Sequence, residues 1–253
     1  MLLDGKVAVI FGAGGAIGGA VARRFAAEGA TVHLSGRSLA GVEVVGKDIK
    51  VSGGSAHTAR VDASVEAEVT DYVADVAERA GGIDVVFNAV SVGAVQGVPL
   101  TDLPVAEFVG PIAAWTSTQL ITSVAAARHM VRRGRGTVIT LSASTARLAV
   151  AGTGGFGVAC AAIEAFSRTL AAELGPLGVR VVCLRPHRIA ETLDAPDLPM
   201  PLDEFRGFLQ DMTVLKRLPA LAEVAGAAAF LASDDAAAMS ATVLNLTAGA
   251  NAD

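Results

Sequence analysis

Val7-Ala8-Val9-Ile10-Phe11-Gly12-Ala13-Gly14-Gly15-Ala16-Ile17-Gly18 is the stretch whose reading decides the fold. Five apolar residues in succession suit a strand covered on both faces, as in parallel sheets. Glycines follow at once, and a helical stretch, Ala16–Glu28, follows them. Strand, glycine-rich turn and helix start, in that order, make a cradle for a pyrophosphate. The turn lets backbone approach the phosphates, and the helix N-terminus offers free N–H groups and positive potential. Such turns also join strands to helices with no ligand present, so the placement after the first strand carries the weight.

The same alternation continues along the chain. Apolar runs fall at Val7–Phe11, Thr31–Ser35, Ala56–Val61, Ile83–Phe87, Thr137–Leu141, Val179–Leu184 and Val243–Leu246. Helical stretches lie at Ala16–Glu28, Leu39–Val51, Val65–Arg79, Thr101–Arg133, Phe156–Gly175 and Leu221–Ser233. This pattern predicts an α/β, doubly wound Rossmann fold with a seven-stranded parallel sheet flanked by helices. Pro111 is expected to kink the fourth helix or to mark its first turn. No repeat, linker or shift in composition divides residues 1–253, so one domain is expected.

The bulk numbers narrow the class. Hydrophobic residues are 52% and charged residues 18%, which predicts fully buried strands and further surface buried between subunits, as a homodimer or homotetramer. A net charge of −5 with no basic cluster argues against a nucleic-acid partner. Two cysteines, Cys160 and Cys183, make neither a metal-ligand set nor a disulfide framework, so no metal is expected and a reducing cytoplasm is. Met1-Leu2-Leu3-Asp4-Gly5-Lys6 runs straight into the first strand and does not read as a signal peptide. The apolar runs are too short to span a membrane.

Beyond the glycine turn the spacing resembles the short-chain dehydrogenase/reductase family. The family's Thr-Gly-x-x-x-Gly-x-Gly is matched by Gly12 and Gly18, with Phe11 in place of the Thr and Ala16 in place of the middle Gly. Asp62, followed by Ala63 at the end of the third strand, matches the adenine-contacting Asp. Asn88-Ala89 matches the start of the family's Asn-Ala-Gly, with Val90 replacing the Gly. The resemblance implies a cofactor site made of Gly12, Gly14, Gly15, Ala16, Ile17, Gly18, Arg37, Asp62, Ala63, Asn88, Ala89 and Thr192. Asp62 also reads as a helix N-cap, because Ser64 and Glu66 follow it. The second strand ends Leu34-Ser35-Gly36-Arg37-Ser38 with no acid to accept from both ribose hydroxyls. Arg37 there suits a 2′-phosphate, which predicts NADP(H) in preference to NAD(H). The alternative for Arg37 is a solvated loop residue.

The resemblance breaks at the chemistry. The family moves protons with an Asn-Ser-Tyr-Lys tetrad. Gap-free alignment of the fifth helix puts Phe156 at the Tyr and Cys160 at the Lys. Counting back puts Ala143 at the Ser and Trp115 at the Asn. The only tyrosine is Tyr72, and no lysine lies between Gly136 and Gly178, so a slip of one residue restores nothing. Cys160 reads as a small buried hydrophobe, and Trp115 as packing. Glu164 shares the face of Cys160 and is expected to be solvated or to face another subunit. Ser142 and Ser144 flank Ala143, and either reaches the pocket if the strand ends in a bulge. His187 and Arg188, in the loop after the sixth strand, are polar candidates near the reacting centre or members of a surface loop. In the family this loop closes over the nicotinamide, and Thr192 fits the carboxamide-binding Thr one residue late. Residues 190–215, with Pro196, Pro199 and Pro201, read as a substrate lid carrying a short helix.

Three functions fit these residues. The first is a divergent NADP(H)-dependent oxidoreductase acting on a small, mostly apolar carbonyl or related substrate, with the proton supplied by Ser142, Ser144, His187 or water. The second is an inactive subunit that pairs with an active paralogue, since some family members do so. The third is a non-redox cyclase, lyase or isomerase whose apolar pocket is lined by Trp115, Phe156 and Val158.

Overall fold

The computed structural model describes residues 1–193 and 201–252. Seven strands form one sheet: β1 (Val7–Phe11), β2 (Thr31–Gly36), β3 (Ser55–Arg60), β4 (Val85–Asn88), β5 (Gly136–Leu141), β6 (Val179–Pro186) and β7 (Thr242–Leu246). The helices are α1 (Ala16–Ala27), α2 (Leu39–Val51), α3 (Glu66–Ala80), α4 (Val105–Arg133), α5 (Gly155–Leu174), α6 (Leu202–Asp211) and α7 (Leu221–Ala232).

The strand order is 3-2-1-4-5-6-7, and every neighbouring pair is parallel. The chain winds outward from β1 to β3, then crosses back to pair β4 with β1. That reversal is the topological switch point, where open α/β sheets bind ligands beyond the carboxyl ends of their strands.

Alternation along each strand explains the unbroken apolar runs. Ala8 and Ile10 of β1 pack with Val32 and Leu34 of β2 against Val21 and Phe25 of α1 and Val224 and Ala228 of α7. Val9 and Phe11 face the other way, with Val73 of α3, Met130 of α4 and Leu170 of α5. Successive side chains enter opposite cores, so apolar residues dominate both faces.

The helix boundaries follow local chemistry. Pro104 precedes α4, so the helix begins at Val105 and not at Thr101. Pro111 therefore lies inside α4, beyond its first turn. Gly134, at φ +64°, ends α4 in the left-handed region, and β5 begins two residues later. The short helix expected in the 190–215 segment is α6. Its Leu209 packs with Leu193 and Leu218 in a small separate cluster. Pro196 and Pro199 lie outside the described residues. No helix of the described residues is long and apolar enough to cross a membrane.

Candidate functional site

The glycine turn presses against the exit of β4. Gly12 sits at φ +74°, and a Cβ there would lie 2.6 Å from the Ala89 carbonyl oxygen. A Cβ on Gly18 would strike the Gly12 carbonyl oxygen. The turn is therefore closed by backbone packing at two points where only hydrogen fits. Ala16 stands on the exposed rim, so its methyl meets no crowding. Gly15 caps α1 with no side-chain hydrogen bond, and the first turn holds no acid. The leading N–H groups, those of Ala16, Ile17 and Gly18, are left for water or an anion. Phe11 is buried and meets Tyr72 edge-on, ring centroids 6.0 Å apart. The one tyrosine is thus a partly buried residue of α3 that packs against the core.

At the other end of this groove, Arg37 is exposed in the loop after β2, and Gly14 abuts Gly41 of α2. Asp62 accepts from the Ser64 backbone N–H at 2.9 Å and from the Ser64 hydroxyl at 2.6 Å. Those bonds hold its carboxyl below the usual range, with Arg37 and Arg60 adding positive potential. The N-cap reading of Asp62 is corrected: α3 starts at Glu66, its N-cap is Val65, and Asp62 shapes the turn before it. Ala63 is buried beside it. Asn88 is buried and fully engaged. Its Nδ2 donates to the Thr118 carbonyl at 3.0 Å and to Thr122 Oγ1 at 2.7 Å, and its Oδ1 accepts from the Val90 N–H at 2.8 Å. It moors β4 to α4 and so sets the floor of the switch point. Thr192 closes a short turn, donating to the Ile189 carbonyl at 2.9 Å.

The four residues aligned with the tetrad come together. Trp115, Cys160, Ala143 and Phe156 belong to one apolar cluster at the carboxyl ends of β5 and β6, with Ile163 and Cys183. The Trp115 and Phe156 rings lie 5.0 Å apart, tilted by 33°. Val158 stands outside this cluster, 46% exposed, because two residues along a helix turn the side chain to another face. It does not line the expected apolar pocket. Burial pushes the Cys160 thiol up to about 11, so it is no thiolate near neutral pH. Its neighbour is the Thr145 hydroxyl at 3.5 Å. The small-hydrophobe reading of Cys160 fits this setting.

Polar groups frame that cluster in two sets. In the first, Ser142 donates to Glu164 Oε1 at 3.0 Å, and Arg185 Nε lies 2.9 Å from the same oxygen. Glu164 and Arg185 are 2% and 1% exposed. The expectation of a solvated or subunit-facing Glu164 is overturned, because the face it shares with Cys160 points to β5 and β6. In the second set, Ser144 Oγ and His187 Nδ1 are 2.7 Å apart and both residues are buried. Ser144 reaches this position by a 3₁₀ turn, Ser144–Ala146, after an extended Ala143. No bulge is needed. Asn251, near the chain end, donates to the Ser144 carbonyl at 3.0 Å. Arg188 is exposed and donates to the Thr192 carbonyl at 3.0 Å, which matches the surface-loop alternative.

Arg185 and Asn251 are polar residues that the sequence motifs did not single out, and Glu164 was placed by them on the wrong side. Arg185 carried a signal. A charge at the end of Val181-Val182-Cys183-Leu184 cannot be buried without a partner, and Glu164 was the acid on the facing helix. Asn251 left no such trace. Among the described residues no three His, Cys, Asp or Glu side chains group as a metal site.

Residues 12–251 match the family model described as Enoyl-(Acyl carrier protein) reductase. The chain is 33% identical to an uncharacterized oxidoreductase of Mycobacterium tuberculosis over 249 residues, 98% of this chain and 92% of that one. It is 32% identical to the (+)-cis,cis-nepetalactol synthase NEPS3 of Nepeta racemosa, covering 93% of this chain and 87% of that one. Among solved structures, a short-chain type dehydrogenase/reductase from Mycobacterium marinum superposes with a TM-score of 0.88 at 27% identity, over 99% and 97% of the two chains.

Proposed function

The chain belongs to the short-chain dehydrogenase/reductase family, and from that premise we propose an NADP(H)-preferring oxidoreductase that delivers its proton without a tyrosine. Its substrate is a small, mostly apolar carbonyl compound or the matching alcohol. The observation that carries this reading is the glycine cradle, closed at Gly12 and Gly18 and left uncapped at α1. Backbone there fits a pyrophosphate, and Arg37 beside Asp62 fits a phosphorylated ribose. The Gly12–Gly18 turn would hold the phosphates and Arg37 the 2′-phosphate. Asp62 and Ala63 would take the adenine side, Asn88 and Ala89 the floor, and Thr192 the carboxamide. A nicotinamide bound there supplies the hydride acceptor or donor.

Trp115 and Phe156 exclude water from the inner wall and leave no titrating group at the tetrad positions. Loss of general acid–base help from those positions slows turnover by about 10²–10⁴-fold without abolishing it. In this reading, 190–215 is a lid over the substrate, the protein is cytoplasmic with free thiols, and it is a homodimer or homotetramer. The exposed apolar Val109 and Leu120 of α4 and Val158 of α5 suit a subunit interface.

Titration with NADPH and NADH, followed by a carbonyl and alcohol panel, tests the reading. NADPH is expected to bind at least about tenfold tighter than NADH. Arg37→Glu is expected to erase that preference while leaving NADH binding near wild type. Binding of neither nucleotide would overturn the reading. A second reading, a non-redox synthase on the same scaffold, is favoured by the aromatic filling of the tetrad positions and the likeness to NEPS3. Turnover that is indifferent to added nucleotide would select it.

A further inference from the structure

The apolar filling of the tetrad positions leaves few groups that can carry a proton at the carboxyl edge of the sheet. Ser142 is committed, since its hydroxyl donates to Glu164 and Arg185 charges the same oxygen. Cys160 holds its proton, pushed up to about 11 by burial. Tyr72 lies against Phe11 on the far side of β1. Among the hydroxyls there, Ser144 is the one that stands against a histidine ring, that of His187.

Their geometry is that of a proton-transfer pair. Ser144 opens the 3₁₀ turn after β5, and His187 follows the end of β6, so each stands just beyond the carboxyl end of one of two neighbouring strands. Oγ and Nδ1 are 2.7 Å apart, in a setting that leaves Ser144 3% and His187 6% exposed. The His187 backbone N–H donates to the Leu246 carbonyl, and Asn251 holds the Ser144 carbonyl, so both backbones are pinned. The other ring nitrogen, Nε2, is buried, and the Leu209 backbone lies against the ring.

We propose that Ser144 is the catalytic proton donor and acceptor of this protein and that His187 positions it and takes or returns its proton. The proposal rests on the oxidoreductase reading above. In the alcohol-oxidising direction, the substrate hydroxyl gives its proton to Ser144 Oγ as the Ser144 proton moves to His187 Nδ1, leaving an imidazolium. The carbinol carbon loses hydride to the oxidised nicotinamide nucleotide. Alcohol, oxidised nucleotide and neutral imidazole thus become carbonyl compound, reduced nucleotide and imidazolium. Reduction of a carbonyl runs the same transfers backwards.

Burial holds the His187 ring below the usual histidine range, so it stands neutral and able to accept near pH 7. The Leu209 backbone, on α6, works against burial by favouring the protonated ring. The charged groups around it are spoken for or in solvent. Glu164 pairs with Arg185, Arg188 bonds the Thr192 carbonyl, and Asp203, Glu204, Arg206 and Asp211 of α6 are exposed.

Ser144→Ala, Ser144→Thr and His187→Gln test the pair, each checked for NADPH affinity and thermal melting. Ser144→Ala and His187→Gln are expected to lower kcat by about 10²–10⁴-fold with NADPH affinity held within threefold. Ser144→Thr, which keeps the hydroxyl, is expected to restore most of the rate. In His187→Gln the acidic limb of the kcat/KM profile is expected to vanish, which a merely structural contact would not produce. Independently of turnover, the His187 ring nitrogen resonances of substrate-free protein are expected to shift in Ser144→Ala. Unshifted resonances, or variants within tenfold of an active wild type, overturn the pair while leaving the oxidoreductase reading intact. A wild type that binds NADPH yet turns over nothing on the panel overturns the oxidoreductase reading and the pair with it.

Discussion

Trp115 of α4 and Phe156 of α5, which gap-free alignment sets against the family's Asn and Tyr, meet ring to ring with centroids 5.0 Å apart. The pair joins the two helices with apolar surface where a hydrated relay would divide them. Trp115 is 7% exposed, and its indole N–H has no acceptor among the described residues. Its worth is therefore packing. Trp115→Ala is expected to cost about 3–5 kcal/mol, the range for truncating a large buried aromatic side chain. Chemical denaturation reads this directly, and a loss under about 1 kcal/mol would show that the cluster collapses without it. Phe156→Tyr alone is expected to raise turnover little, because Cys160 offers no charge to lower the phenol's pKa.

The cradle makes a sharper demand. Gly18→Ala places a methyl against the Gly12 carbonyl, and backbone on both sides leaves no flexible group to yield. Overpacking of this kind costs about 1–3 kcal/mol, and here it also moves the turn that faces the phosphates. Gly18→Ala is expected to lower the melting temperature and abolish NADPH binding together. Gly15→Ala is the control for folding: a Cβ there lies 3.4 Å from the nearest atom, and φ is −84°. Its melting temperature is expected to stay near wild type.

These two regions differ in how far the sequence exposed them. Runs such as Val7–Phe11 and Val179–Leu184 declared buried parallel strands, while the strand order came only with the structure. The Gly12–Gly18 turn was equally plain, because conformational need writes itself as glycine. The candidate reacting centre was not. His187 and Asn251 are 43 and 107 residues from Ser144 along the chain. Only pairing of β5 with β6 and the final turn after β7 brings them together. Ser142 and Ser144 looked equivalent in sequence, and it is the 3₁₀ turn that sends one to Glu164 and the other to His187. Glu164 failed for a related reason: a helix face can be counted, but what it packs against is a tertiary fact.

His33 gives the pH dependence of stability. It is buried on β2, stacked on His57 at 4.7 Å, and its Nε2 has no partner. Burial, then the His57 charge, lowers its pKa to about 4. The folded state therefore binds this proton less readily than the unfolded state, whose histidine titrates near 6.5. Stability is full above that value and is lost as pH falls toward 4. Burial lowers His129 and His187 as well, so their contributions carry the same sign. His33→Phe is expected to flatten the fall in melting temperature between pH 7 and pH 4.5. An unchanged slope would assign the acid sensitivity to other groups.

Glu164 and Arg185 give the last prediction. The pair sits between α5 and β6, behind the loop that carries His187, with Ser142 bonded to the same carboxylate oxygen. Replacing both charges of a buried pair by apolar groups can be neutral, whereas removing one costs about 3–5 kcal/mol. Glu164→Gln keeps the shape and an acceptor oxygen, so about 3 kcal/mol is expected. For a chain of this size that is a fall in melting temperature of roughly 6–12 °C. Weaker anchoring of Ser142 and Arg185 beside the His187 loop should lower NADPH turnover further than NADPH affinity. A variant with unchanged stability would show that the remaining contacts of Arg185 balance its charge without Glu164.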